Sequence, residues 1–103
     1  MEAKTATRAY GALSGDLRMN VMRLLSEAGR DGLPSGEMAR RLSVPPNTLS
    51  TQLGLLETAR LVEKRRDGRN VIYNVCLPTI KSLIHFLAVD CAGGRIKGVK
   101  IGA

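Results

Sequence analysis

The sequence predicts a mainly α (α+β) domain, a winged helix-turn-helix of about five helices and a two-stranded β-hairpin wing. Three observations carry that expectation. A short helix, a proline-bounded turn and a longer helix follow one another between Ser35 and Ala59. Two strand-like runs then flank Asp67-Gly68, a strong hairpin signal because glycine takes a positive φ cheaply. Apolar residues make up 44% of the 103 positions, too many for a disordered chain and enough for one core.

Residues 1–13 read as a helical lead-in, with Ala6, Ala9, Tyr10 and Leu13 at helical spacing. Ser14-Gly15-Asp16 breaks the chain and restarts it with capping residues. From Asp16 to Ala28 a narrow polar stripe of Asp16, Asn20, Arg23 and Glu27 leaves Leu17, Val21, Met22, Leu24 and Leu25 over most of the rest. That pattern predicts a largely buried helix, ended by Gly29 and Gly32. Pro34 suits the start of a short helix, Ser35 to Leu42, with Met38 and Leu42 on one side. Ser43-Val44-Pro45-Pro46 is a turn, since the residue before a proline avoids the helical region. The helix from Pro46 to Ala59 puts Leu49, Leu53 and Leu56 on one side and Asn47, Thr48, Thr51 and Gln52 on the other. Leu61 to Arg66 and Val71 to Val75 read as strands, Val71, Tyr73 and Val75 alternating with Ile72 and Asn74 as one-sided burial requires. A last helix covers Pro78 to Asp90, with Ile80, Leu83, Ile84 and Leu87 as its apolar stripe. Residues 1–92 thus form one domain, and residues 93–103 a glycine-rich, basic, flexible tail.

Lysine and arginine total 16 against 9 acidic residues, a net charge of +7. That balance favours a polyanionic partner, nucleic acid ahead of membrane or acidic protein. One Phe, two Tyr and no Trp provide no stacking platform for single strands, which leaves double-stranded DNA. No apolar run approaches the ~20 residues of a membrane span. The start Met1-Glu2-Ala3-Lys4 lacks the apolar core of a signal peptide, so the expected location is cytoplasmic. No nucleophile–base pair, phosphate-binding glycine loop or paired carboxylates stand out, so an enzyme is not expected.

The polar face of the Pro46–Ala59 helix suits a major groove. Asn47 and Gln52 carry amides that pair with adenine, Thr48 and Thr51 reach base edges or a thymine methyl, and Ser50 at the flank bonds phosphate. Lys64, Arg65, Arg66, Arg69 and Asn70 surround the hairpin turn. Adjacent strand residues face opposite sides, so Arg66, Arg69 and Asn70, nearest the tip, are the candidates for minor-groove or phosphate contact. A charged edge strand also protects against aggregation.

The run PSGEMARRLSVPPNTLSTQLGLLETARLVEKRRDGRNVIYNV, residues 34–75, closely resembles the helix-turn-helix and wing of the ArsR/SmtB family of metal- and metalloid-responsive repressors. ALSGDLRMNVMRLL, residues 12–25, resembles that family's first core helix, and the likeness spans about 80 residues in the same order. The resemblance implies a homodimer joined through residues 3–13 and 78–90, an operator duplex as partner, and an effector that weakens DNA binding. Two departures stand out. Arg60 occupies the position where the family has a glycine closing the recognition helix, at a cost of about 1 kcal/mol if the backbone there is left-handed. The cysteine pair of the short helix is missing, that stretch being Leu33-Pro34-Ser35-Gly36-Glu37, so the metal site of that subgroup cannot exist here.

Cys76 and Cys91 remain. Asp90-Cys91-Ala92-Gly93-Gly94 resembles the arsenic-responsive members with C-terminal cysteines, with Ala92 in place of a second thiol. Helical geometry separates Cys76 from Cys91 by about 22 Å within one chain. Antiparallel terminal helices in a dimer would bring Cys76 of one protomer near Cys91 of the other. Such a thiolate pair suits a trivalent arsenical effector, an organoarsenical before arsenite. The same pair also fits an intersubunit disulfide, redox or persulfide sensing, or two unrelated thiols. A winged-helix protein-interaction module with no DNA ligand is the reading from a different class. No resident cofactor is required, and the lone His85 reads as solvated.

Overall fold

The computed structural model describes residues 1–91. The expected tail, residues 93–103, lies outside the described residues, as does Ala92. Helix α1 (Ala3–Leu13) packs small residues inward, with Ala6 and Ala9 buried. Helix α2 (Asp16–Ala28) has an acidic residue in its first turn, where the helix dipole favours it, and stops at Gly29 with φ 62°. A 3-10 turn, Gly29–Asp31, leads into β1 (Leu33–Pro34), then α3 (Ser35–Leu42) and α4 (Pro46–Thr58). Strands β2 (Val62–Asp67) and β3 (Asn70–Val75) form the wing, and α5 (Leu77–His85) continues into a π-helical turn, Phe86–Cys91.

The core sits where α2, α3 and α4 meet. Val21, Met22 and Leu25 from α2 meet Met38 and Ala39 from α3 and Leu49, Leu53 and Leu56 from α4. Leu61 and Val62 extend it to the root of the wing, and Ala6, Ala9 and Leu83 close it from the terminal helices. Burying leucine side chains of this kind stabilises by roughly 1.5–3 kcal/mol each. Helix α2 is less buried than its composition predicts. Met19 stays 42% exposed and Leu17 half-exposed, because α1 covers only part of its outer face.

Helices α3 and α4 end alike. Ser43 (φ 54°) and Arg60 (φ 60°) both take the left-handed conformation without being glycine. In each case the next amide, of Val44 or Leu61, reaches back to the carbonyl of Ala39 or Leu56 at 3.0 Å. This closes the last turn as a Schellman motif does, and the apolar Val44 and Leu61 then pack inward.

The sheet has three strands in the order β1-β3-β2, all antiparallel. The sequence led to two. Leu33-Pro34 is too short to show alternation, and its proline sits on an edge strand, where a missing amide is tolerated. The hairpin turn is Gly68-Arg69, between paired Asp67 and Asn70, one residue later than the Asp67-Gly68 expected. Gly68 (φ 64°) at the first turn position fits a type II′ turn. Because β3 is the central strand, its burial does not alternate simply: Ile72 is buried, while Val71, Tyr73 and Val75 are half-buried. Gly32 (φ 64°) lies against it so closely that a Cβ there would stand 2.4 Å from the carbonyl oxygen of Tyr73.

The last helix also departs from expectation. It starts at Leu77 and reaches Cys91, the final turn being π-helical. Its apolar stripe divides: Leu83 is buried and Ile80 packs on the core, while Ile84 and Leu87 are 44% and 48% exposed. The Tyr10 hydroxyl donates to the Leu83 carbonyl at 2.5 Å and ties α1 to α5. No helix of the described residues is long and apolar enough to cross a membrane.

Candidate nucleic-acid interface

The interface starts from the way α4 is seated. Pro45 and Pro46 fix its entry, and Leu49, Leu53 and Leu56 anchor its inner side. No side chain caps its N-terminus, and the first backbone amide paired within the turn is that of Leu49, to the Pro45 carbonyl at 3.1 Å. The amides of Asn47 and Thr48 therefore stay available at the positive end of the helix, an arrangement that suits a phosphate. Asn47, Thr48, Ser50 and Thr51 are all exposed on the outer side. The Thr51 hydroxyl donates to the Asn47 carbonyl at 3.1 Å, which leaves its methyl free for contact. Gly54 and the 49% exposed Leu55 continue this uncharged surface.

Gln52 is placed differently from the other four. It is half-buried at the flank of the outer face, and its Oε1 accepts from Nη1 of Arg18 at 2.8 Å. Arg18 itself was not legible as a functional residue. It falls outside the polar stripe of α2, and only that exclusion from the stripe marks it.

In the wing, every residue from Glu63 to Asn70 is exposed. Arg65 Nη2 donates to the Asp31 carbonyl at 3.1 Å and Lys64 pairs with Glu57 at 3.5 Å, so both are partly committed to the protein. Arg66 and Arg69 make no ion pair among the described residues, and with Asn70 they cluster at the tip. At the base, the Asn74 side chain donates to the Gly29 and Arg30 carbonyls at 3.0 and 3.1 Å and pins β3 to the end of α2. Helix α3 adds Arg40 and Arg41, both bonded to Glu37. Those bonds, from Arg41 first and then Arg40, hold the Glu37 carboxyl below its ordinary value.

The cysteines lie away from this surface. Cys76 is half-buried at the start of α5, its sulfur accepting from the Thr79 hydroxyl at 3.3 Å. Cys91 is exposed in the π turn itself rather than beyond the helix. Burial, and then the charge of Cys91, push the Tyr10 phenol above its ordinary value. No group of three or more His, Cys, Asp or Glu side chains able to hold a metal occurs among the described residues, and His85 is exposed.

Known proteins agree with the fold. The helix-turn-helix domain family matches residues 13–65. An uncharacterized HTH-type transcriptional regulator of Mycobacterium tuberculosis, Rv0081, is 31% identical over 81 residues, covering 79% of this chain and 69% of that protein. The transcriptional repressor SmtB homolog of Synechocystis is 34% identical over 74 residues, covering 72% and 54%. Among solved structures, an ArsR-like transcriptional regulator from Rhodococcus superposes with a TM-score of 0.76 at 24% identity, covering 88% of this chain and 83% of the other. The homodimeric winged helix-turn-helix DNA-binding domain of Mycobacterium bovis does so with a TM-score of 0.69 at 21% identity, covering 94% and 86%. These proteins are regulators of transcription and not enzymes. Family match and relatives together place this chain in the helix-turn-helix domain family, among the HTH-type transcriptional regulators.

Proposed function

We propose that this chain is a dimeric, sequence-specific repressor that leaves its operator when a thiol-binding effector bridges two protomers. The observation that carries DNA binding is the pairing of two surfaces. An uncharged, exposed face of Asn47, Thr48, Ser50 and Thr51 stands at the start of α4, and the unpaired Arg66 and Arg69 stand at the wing tip. The first suits base edges and the second suits phosphates. Dimerisation is supported by Ile84 and Leu87, exposed apolar residues on a helix that Tyr10 ties to α1. A two-fold pair of α4 helices would read a palindromic site.

The decisive experiment is duplex binding with DNA from upstream of its own coding region, repeated across salt concentrations. Affinity should fall steeply with salt. The double substitution Ile84→Lys/Leu87→Lys should yield folded monomers without operator affinity. Salt-insensitive or absent binding would leave a protein-interaction module as the reading.

The effector reading rests on Cys76 and Cys91. Cys91 is exposed, and the two thiols begin and end the helix that carries the exposed Ile84 and Leu87. Two thiols from two protomers suit a mono-substituted trivalent arsenical carrying two hydroxyls, each S–As bond replacing an As–OH bond as the hydroxyl leaves with the thiol proton as water, and Ala92 supplies no third sulfur for arsenite. Cys76→Ser and Cys91→Ser should each abolish release. Wild-type release in both variants would move the effector elsewhere, and release by oxidant or persulfide alone would make the same thiols a redox sensor.

A further inference from the structure

Arg18 makes two directed bonds from one guanidinium. Nε donates to the Ala12 carbonyl near the end of α1 at 2.6 Å, and Nη1 donates to Oε1 of Gln52 on α4 at 2.8 Å. Arginine offers only donors, so it can hold only the oxygen end of an amide. The Gln52 amide is planar, and with its oxygen at Arg18 its NH2 group turns away from α2. The planar guanidinium fork makes both bonds at once, which a lysine ammonium on a flexible stem does not reproduce. The seat of the fork is bare backbone. A Cβ at Gly15 would stand 2.7 Å from Nη2 and 2.8 Å from Cζ of Arg18, so glycine at that position leaves the guanidinium its room.

We propose that Arg18, seated on Gly15, is a specificity-positioning residue: it fixes the Gln52 amide so that the NH2 group is the end offered to the major groove, and it ties that choice to the end of α1. The inference rests on the duplex-reading function proposed above. An NH2 donor selects acceptors on base edges, guanine N7 and O6, adenine N7 or thymine O4, while a freely turning amide offers either end. Since Tyr10 links α1 to Leu83, a shift of the terminal helices reaches Gln52 through the Ala12–Arg18 bond, beside the direct packing of α1 on α4.

Two variants that keep every charge test the assignment. Arg18→Lys removes the fork. Gly15→Ala, at a backbone conformation alanine accepts (φ −88°, ψ 136°), displaces only the far end of the flexible Arg18 side chain. Both should flatten base preference at the pair facing Gln52 by about three- to tenfold, the range of one net hydrogen bond, with the salt slope unchanged. Arg18→Lys/Gln52→Ala should match Gln52→Ala alone. In the free protein, 15N spectra should show an ordered Gln52 NH2 pair that becomes motionally averaged in both variants. Equal loss of affinity for all sequences, additive effects in the double variant, or Gln52 resonances indifferent to Arg18→Lys would each overturn the assignment. Absence of duplex binding by the unsubstituted protein would sink the proposed function with it, whereas binding with unaltered base preference in Arg18→Lys sinks this inference alone.

Discussion

Helix α4 and the wing face the same expected ligand and are built on opposite terms. Helix α4 is held by three buried leucines, a left-handed closure at Arg60 and the Arg18 bridge. The wing beyond Val62 buries nothing on β2. It keeps its shape through the β2–β3 ladder and a few polar tethers near its root: Arg65 to the Asp31 carbonyl, Lys64 to Glu57, and Asn74 to the Gly29 and Arg30 carbonyls. Base-edge recognition depends on hydrogen bonds whose strength falls steeply with misplacement, so it requires a fixed element. Attraction between a guanidinium and a phosphate falls off slowly with distance, so it tolerates a mobile one. One small domain thus carries one exposed surface on a helix rooted in the core and another on a strand pair that buries little.

The sharpest way to break that contrast is in the core beneath α4. Leu53→Ala, at a site only 1% exposed, should lower unfolding free energy by about 3 kcal/mol in urea titrations. Arg66→Ala on the wing should stay within roughly 0.5 kcal/mol. Next in size, Asn47→Ala should lose about 1–3 kcal/mol of discrimination at one or two base pairs. Arg69→Ala should weaken all duplexes alike and reduce the salt slope by about 0.9. Indistinguishable base profiles for these two variants would dissolve the division of labour. Arg60→Gly should raise stability by up to about 1 kcal/mol, read as a higher thermal midpoint, because glycine adopts φ 60° without a Cβ clash. The smallest effect is at Glu37, whose carboxyl is held below its ordinary 4.5 by Arg41 and Arg40. Folding lowers this pKa, so the contribution is whole above 4.5 and fades as pH falls through the folded-state value. Glu37→Gln should therefore make the urea midpoint fall less steeply on the acid side, with the difference confined to pH values below that point.

Much of this was legible in the sequence, and the exceptions share a cause. Leu49, Leu53 and Leu56 and the hairpin were readable because helical and strand periods repeat often enough to be seen. Strand β1 has two residues and no period to show, so only its pairing with Tyr73 and Ile72 reveals it. Leu83 looked like part of a uniform outer stripe. One apolar stripe can face two surroundings, and the sequence does not say that α1 covers Leu83 while leaving Ile84 and Leu87 open. Gln52 was assigned to the outer face by its residue type and spacing. Its engagement by a side chain 34 positions earlier is a tertiary contact that no local pattern encodes. At Arg60 the resemblance raises a left-handed backbone only as a condition, and the chain meets it at φ 60°.

The Tyr10–Leu83 bond joins residues 73 positions apart and has a consequence for the order of assembly. Contacts distant in sequence carry the largest loop-closure entropy, so they form late. During synthesis the segment from α2 through the wing emerges with its own buried core of α2, α3 and α4 residues. Helix α1, although made before that segment, has no partner for its tyrosine until α5 has left the ribosome. The surface that α1 and α5 share is therefore completed only after α5 has emerged, when the half that carries α4 and the wing has already taken shape.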